Sequence, residues 1–182
     1  MEKENPLFAT TEYRGHDYKQ PGFYGITLCT YHRRWLFGTV SDGQVHLNQV
    51  GRVAQQVWAD LAHRWSCVQL HEYVFMPNHM HAIIELIEST GPKPISVFEV
   101  MRTYKALASY TIRKSSGEFW LGWQEGGWKT VIFNETSLAN ARQYISNNPA
   151  KWTHDRLIRE EFKQQEIHHS RLRKSHESPP LS

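Results

Sequence analysis

The sequence predicts an α+β fold, a ferredoxin-like sandwich with a central antiparallel sheet and helices packed against it. Segments rich in β-branched and aromatic residues predict strands, and apolar residues at i, i+3 and i+4 predict amphipathic helices. These elements follow the order strand, helix, strand, strand, helix, strand, helix, which is typical of a split βαβ unit. A chain of 182 residues suffices for one domain with a single core.

Each element has a local signal in the sequence. A strand rich in aromatic residues comes first, and Ser41, Asp42 and Gly43 predict the turn of a short hairpin after it. The segment Asn134, Glu135, Thr136 and Ser137 offers caps for the last helix, and Asn148 before Pro149 ends it, because a residue preceding proline disfavours helical geometry. The predicted strands are 22–31, 68–75, 79–87 and 128–133, the hairpin is 36–47, and the predicted helices are 49–65, 96–114 and 138–147.

The composition changes at both ends of the chain, and this sets the expected domain organisation. Residues 1–20 are polar and predict an N-terminal arm, and residues 21–152 predict one compact domain. Residues 153–182 predict a basic C-terminal tail that is partly helical and then disordered.

The charge of the chain is compatible with binding DNA, and its hydropathy favours a cytoplasmic protein. The net charge is +3, and aromatic residues make up 13% of the chain, a combination compatible with binding nucleic acid. No apolar run approaches the ~20 residues that a membrane helix needs, and the N-terminus lacks a signal-peptide core. We therefore expect a cytoplasmic protein that does not contact membranes. Cys29 and Cys67 lie in apolar stretches, so we expect buried thiols rather than a disulfide.

Two histidines on a predicted strand form a candidate metal site. Because alternate residues of a strand share a face, His79 and His81 point to one side, and the purely apolar set that begins with Met80 points to the other. Two adjacent imidazoles on one face are able to bind one metal ion. The spacing alone also fits two ordinary surface histidines.

A tyrosine and an asparagine four residues apart form the second candidate element. Tyr144 and Asn148 lie one turn apart on the predicted last helix. A phenol with a pKa near ~10 is a poor nucleophile unless a cation stabilises the developing charge. The carboxamide oxygen of Asn148 is able to complete a magnesium or manganese site with the histidines. The alternative is a tyrosine at the edge of the core and an asparagine that only ends a helix.

Five stretches together resemble the HUH single-tyrosine transposases, in particular the branch of REP-associated tyrosine transposases. The resemblance runs in order from residue 17 to residue 152 and implies an HUH endonuclease fold. The stretches are DYKQPGFYGITLCTYHRRWLFG, LHEYVFMPNHMHAIIEL, VFEVMRTYKALASYTIRK, the pair WQ at Trp123 and Gln124, and ARQYISNNPAKW.

The resemblance implies a metal-dependent transposase that cuts and rejoins single-stranded DNA. Tyr144 is then the nucleophile that forms a 5′-phosphotyrosine intermediate, and His79, His81 and Asn148 hold Mg²⁺ or Mn²⁺. The expected substrate is single-stranded or hairpin DNA from palindromic repeats, bound by a monomer or a homodimer. The candidate DNA contacts are Lys105, Arg102, Arg33, Arg34, Trp123 and Gln124.

The sequence departs from the family pattern at two positions after Trp123 and Gln124. Thr130 and Phe133 stand where the family usually has a histidine and an arginine. This difference keeps a second function open, namely a domesticated protein that binds repeat hairpins and cuts them weakly or not at all. A third reading is a metal-dependent phosphodiesterase in which water, rather than Tyr144, attacks the phosphate.

Overall fold

The computed structural model describes residue 13 and residues 15–89, 94–115 and 122–154. Most of the N-terminal arm and the tail after residue 154 lie outside these described ranges. The elements are β1 (Gly22–Cys29), β2 (Gly38–Ser41), β3 (Gln44–Leu47), α1 (Gln49–Asp60), β4 (Val68–Met76), β5 (His79–Leu86), α2 (Val97–Ser115), β6 (Trp128–Ile132) and α3 (Glu135–Asn147).

Four strands form one antiparallel sheet in the order β4-β5-β1-β6, and β2 and β3 form a separate hairpin. Strand β1 is central and pairs with both β5 and β6, which follow it at a distance in sequence. This strand order is the one that a split βαβ unit produces, because α1 and α2 carry the chain between non-neighbouring strands. The predicted α+β class and antiparallel sheet are confirmed.

Helices cover both faces of the sheet. Met80, Ala82 and Ile84 of β5 belong to the main core, together with residues of α1 and α2. Ile83 points the other way and packs with residues of α3, including Ile145. The predicted alternation is therefore confirmed, and the histidine face is buried as well, because α3 packs against it.

Some predicted boundaries differ from the observed ones for local reasons. Helix α1 ends at Asp60, and a short 3₁₀ turn follows where the sequence predicts continuing helix. Helix α3 begins three residues earlier than predicted, because Asn134 Oδ1 accepts a hydrogen bond of 2.8 Å from the backbone N–H of Ser137. These shifts do not change the order of the elements.

Two smaller expectations have structural counterparts. Cys29 and Cys67 are both buried, and neither forms a disulfide, as predicted. Within the described ranges, no helix combines the length and the apolar character that a membrane span requires.

Candidate active site

His79 begins β5 directly after the turn that joins it to β4, and its side chain is fully buried. Its Nδ1 lies 2.7 Å from Oδ1 of Asn78. An amide oxygen only accepts hydrogen bonds, so Nδ1 carries the proton and Nε2 keeps its lone pair. Burial and the nearby positive charge of Arg33 lower the pKa of His79 to about 3, so the imidazole is neutral at physiological pH.

His81 lies beside His79 on the same face of β5, and only 2% of it is exposed. The two ring centroids are 4.6 Å apart. Thr27, the partner of His81 across β1, places its Oγ1 2.7 Å from His81 Nδ1. Each imidazole thus has a side-chain partner at Nδ1, which fixes the ring orientation and directs Nε2 into the site. The interpretation as two surface histidines is wrong.

Tyr144 approaches the histidines from α3, which crosses the same face of the sheet. Its ring centroid is 5.2 Å from that of His81, and its hydroxyl oxygen is 3.4 Å from His81 Nε2. The side chain is half-buried, and its ring packs against the small core beneath α3. The ring thus occupies a core edge while the hydroxyl group faces an imidazole.

Asn148 follows Tyr144 by one turn and forms the C-cap of α3. It is 4% exposed, and its Oδ1 is a buried atom that has no hydrogen-bond partner among the described residues. A buried carbonyl in this condition costs about 1–3 kcal/mol. Binding a cation would recover this cost, so the donor set fits a divalent metal.

The donors that fit a metal are two imidazole nitrogens and one carboxamide oxygen. Nowhere in the described ranges do three His, Cys, Asp or Glu residues cluster at a metal-binding distance. A neutral imidazole and an amide oxygen suit Mg²⁺ or Mn²⁺ when water and phosphate supply the remaining ligands. Trp152 closes one side of the site, with its ring 6.0 Å from that of His79.

The turn after β1 directs Arg33 into the protein. His32 and Arg33 adopt φ values of 50° and 53°, a left-handed conformation that costs roughly 1–2 kcal/mol for each such residue. The guanidinium group of Arg33 lies 5.6 Å from the ring of Trp128, and the residue is 8% exposed. Arg34 is exposed. Arg33 therefore reaches DNA only if a phosphate enters the site, whereas Arg34 is accessible from outside.

The other candidate DNA contacts lie beside the end of β1 and on α2. Lys105 is partly buried and donates hydrogen bonds to the carbonyl oxygens of Gln124, at 2.7 Å, and Gly126. This burial lowers the pKa of Lys105. The ring of Trp123 packs into the main core, and Arg102 is exposed on α2. None of these four contributes to the histidine cluster in the described structure.

Thr130 and Phe133 occupy different environments. Thr130 pairs with Gly25 of β1, two residues along β1 from the partner of His81. Residues two apart on a strand share a face, so Thr130 lies on the histidine face. Phe133 is 66% exposed beyond the end of β6. Glu85 is also on the histidine face, and its Oε2 lies 3.0 Å from Nε2 of His71. Its carboxylate is thus engaged by His71 and orients neither His79 nor His81.

Sequence reasoning missed three residues that shape the site: Asn78, Thr27 and Trp152. Asn78 stands next to His79 in sequence, so a search for side chains that orient the imidazole would have found it. Thr27 is recognisable only once the register of β1 and β5 is known. Trp152 lies four residues after Asn148, beyond the end of α3, so helix periodicity does not place it.

Comparison with known proteins shows the family to which this sequence belongs. The family profile described as "Transposase IS200 like" matches residues 25–148, a span that includes both histidines, Tyr144 and Asn148. This chain belongs to the IS200-like transposase family. An uncharacterized protein of Haemophilus influenzae is 32% identical over 159 residues, which cover 78% of this chain and 88% of that protein.

A solved structure has a similar fold. The structure of a REP-associated tyrosine transposase bound to a REP hairpin is matched with a TM-score of 0.57 and 20% sequence identity. The match covers 78% of this chain and 74% of that one. At this identity the likeness shows that the HUH-type fold is shared.

Proposed function

We propose that this IS200-like transposase is a metal-dependent single-stranded DNA endonuclease and strand transferase with Tyr144 as its nucleophile. The observation that carries the proposal is the position of the Tyr144 hydroxyl, 3.4 Å from His81 Nε2. The buried histidine pair lies beside this hydroxyl, and Asn148, one helical turn after Tyr144, has a buried oxygen without a hydrogen-bond partner among the described residues. A merely structural tyrosine does not require this arrangement.

His79, His81 and Asn148 are the residues that would hold the divalent metal, through the Nε2 atoms and Oδ1. A bound Mg²⁺ or Mn²⁺ supplies positive charge that stabilises the phenolate and the phosphate oxygens in the transition state. Asn78 and Thr27 engage the two Nδ1 atoms, so they fix the orientation of both rings and leave the Nε2 atoms for the metal. Since His79 is neutral with a pKa of about 3, its nitrogen is available at any pH near 7.

The proposed reaction is a transesterification that conserves bond energy. The Tyr144 hydroxyl loses its proton to solvent, because His81 Nε2 cannot accept this proton while it serves as a metal ligand. The phenolate oxygen then bonds to phosphorus, and the bond from phosphorus to the 3′ oxygen breaks. The departing oxygen takes a proton and becomes a 3′-hydroxyl, and the 5′ end remains on Tyr144. Attack by another 3′-hydroxyl reverses the step without ATP.

The proposed substrate is DNA with a hairpin-forming repeat, of the kind bound in the similar solved structure. Arg34 and Arg102 are exposed cations that we propose as phosphate contacts. Arg33 faces the site from inside, and Lys105 and Gln124 shape the loop beside β1. We also propose that Trp123 belongs to the DNA-binding surface. We further propose that the protein acts in the cytoplasm, as a monomer or a homodimer.

A second candidate function is hairpin binding with weak or no cleavage. Thr130 lies on the histidine face, where the resemblance predicts an imidazole, and its short hydroxyl side chain supplies no charge to the site. Phe133 likewise replaces a cation with an exposed aromatic ring. The two functions share the binding step and differ only in turnover.

Incubation with Mn²⁺ and hairpin DNA labelled at its 3′ end separates these functions. The proposal predicts a protein-linked labelled band that survives denaturation and is absent with a chelator or with Tyr144→Phe. The half-buried Tyr73 provides the matched control, since Tyr73→Phe removes a hydroxyl outside the site. Tight binding without a linked band would support the second function. Cleavage that persists in Tyr144→Phe would support attack by water.

A further inference from the structure

We propose that Glu72 and Arg142 are positioning residues, and that their ion pair sets the roll of α3 about its axis and thereby the place of the Tyr144 hydroxyl. The Nε atom of Arg142 donates a hydrogen bond of 3.0 Å to Oε2 of Glu72. This bond joins α3 to β4, the edge strand beside the strand that carries both histidines. The inference rests on the proposed function, since it concerns how the proposed nucleophile is aimed.

Glu72 reaches α3 because β4 contains a β-bulge. The register of β4 and β5 shifts between Leu70 and Tyr73, where three steps along β4 match two steps along β5. Leu70 and Tyr73 both pack against the main core. The two residues between them, His71 and Glu72, therefore stand opposite one residue of β5, Ile83, on the histidine face. Regular alternation would point Glu72 into the main core, so the bulge is what directs its carboxylate to α3.

The second residue of the bulge has a partner of its own on the same face. Nε2 of His71 lies 3.0 Å from Oε2 of Glu85, which is two strand positions beyond Ile83. The ring of His71 also contacts Phe23 of β1, with 5.1 Å between centroids. The bulge thus forms two separate pairs, one within the sheet and one from the sheet to α3. Only the pair with Arg142 joins the sheet to the helix of the nucleophile.

The apolar packing beneath α3 is small and leaves a role for this pair. The buried side chains of the cluster are Leu138, Ala141 and Ile145 of α3 with Ile83 and Ile132 of the sheet. One of the three helix residues is alanine, and contacts between aliphatic groups are not directional. The cluster therefore holds α3 on the sheet but resists a roll about the helix axis only weakly.

Arg142 and Tyr144 lie on opposite edges of the apolar stripe of α3. They are two residues apart, and hence about 160° apart around the axis at 3.6 residues per turn. A roll of about 10° moves an atom ~6 Å from the axis by about 1 Å. A nucleophile displaced by this distance reacts more slowly, since attack requires close alignment with phosphorus. The bond from Arg142 on one edge therefore helps to keep the hydroxyl on the other edge 3.4 Å from His81 Nε2.

The test reverses the charge of each partner singly and then of both together. Arg142→Glu and Glu72→Arg each bring like charges together, and they change the net charge of the protein in opposite directions. The double variant restores both the pair and the net charge. The matched control, Arg64→Glu, makes the same charge change at an exposed arginine outside α3 and the site. Arg142→Met is the milder variant if a reversal impairs folding, which thermal unfolding in chelator checks.

The first measurement is single-turnover cleavage of saturating hairpin DNA, labelled at its 3′ end, with Mn²⁺. Both side chains of the pair are 40% exposed, and such a pair changes an equilibrium by about 1.4–5-fold. Since like charges cost a similar factor, each single reversal should slow cleavage by about 2–25-fold. Arg142→Met should slow it by about 1.4–5-fold. The double variant should be faster than either single reversal, and Arg64→Glu should match the original protein.

The second measurement does not require cleavage. The protein is labelled with 3-fluorotyrosine, and the fluorine NMR signal of Tyr144 is assigned by its absence in Tyr144→Phe. In chelator and without DNA, this signal should move in both single reversals and return towards its original position in the double variant. A protein that never cuts DNA still gives this result, so failure of the proposed nuclease activity stays distinguishable.

Three results would overturn the proposal. Cleavage rates that follow net charge, falling in Arg142→Glu and rising in Glu72→Arg, would mean that Arg142 acts on DNA rather than through Glu72. A double variant as slow as the slower single reversal would mean that the two residues do not act as a pair. A Tyr144 signal that stays in place in both single reversals would mean that the pair does not position the hydroxyl.

Discussion

Replacing Asn148 by leucine should stabilise the metal-free protein and abolish its response to metal. The Oδ1 atom of Asn148 is buried without a hydrogen-bond partner in the described structure, a condition that costs about 1–3 kcal/mol. Leucine has the same number and branching of side-chain heavy atoms, and it removes this polar atom from the core edge. For a protein of this size each kcal/mol shifts the melting temperature by about 2–4 °C. The variant should therefore melt about 2–12 °C higher in a chelator.

Added metal should stabilise the original protein and leave the Asn148→Leu variant unchanged. At 100 times its dissociation constant, a ligand stabilises the folded state by about 2.7 kcal/mol, and this gain should be lost in Asn148→Leu. Thermal unfolding of both proteins, with chelator and with Mn²⁺, measures the two effects. The exposed neighbour Asn147 gives the matched control, since Asn147→Leu should keep the Mn²⁺ response. A lower melting temperature of Asn148→Leu in chelator, or an unchanged Mn²⁺ response, would refute the reasoning.

Three further predictions concern the imidazoles. His81→Ala should abolish cleavage and keep the affinity for hairpin DNA, measured by fluorescence anisotropy, within a few-fold of that of the original protein. A loss of binding as large as the loss of cleavage would mean that the histidine is structural. Thr27→Val should weaken Mn²⁺ binding, measured by calorimetry, about 10–100-fold, since it removes the partner of His81 Nδ1; unchanged affinity would exclude that role. The pKa of His79 falls to about 3 in the folded protein, so the unfolded chain takes up its proton first as pH falls below ~6.5. The free energy of unfolding should thus decrease with falling pH between ~6.5 and 3, by up to ~1.4 kcal/mol per pH unit from this group. Denaturant titrations in chelator check this, and His79→Gln should show a shallower slope; an identical slope would contradict it.

Local periodicity was enough to predict the elements and the direction of the histidines. The apolar set that begins with Met80 fixes the phase of β5, so His79 and His81 had to share the other face. Helix periodicity likewise placed Tyr144 and Asn148 one turn apart, as they are in α3. Such patterns depend only on neighbours in sequence, and tertiary packing did not alter them.

The environment of the site depends on contacts that are distant in sequence, and the sequence did not predict it. His81 is covered by Tyr144 of α3, which begins 49 residues after β5 ends, and His79 is covered by Trp152, which follows α3. The partner of His81 comes from Thr27, 54 residues away across a strand pairing that no local pattern specifies. Arg33 points into the protein because His32 and Arg33 adopt left-handed backbone conformations. Neither residue is glycine, so the sequence gives no sign of these conformations.

The central claim is that Tyr144 forms a covalent bond to DNA, and peptide mapping of the linked product tests it most directly. Hairpin DNA is incubated with the protein and Mn²⁺, the complex is digested with protease and nuclease, and the modified peptide is sequenced by mass spectrometry. The account predicts a nucleotide attached through a 5′ phosphate to Tyr144 alone. Attachment to another residue, or cleaved DNA that carries a 5′ phosphate without any linked peptide, would contradict it.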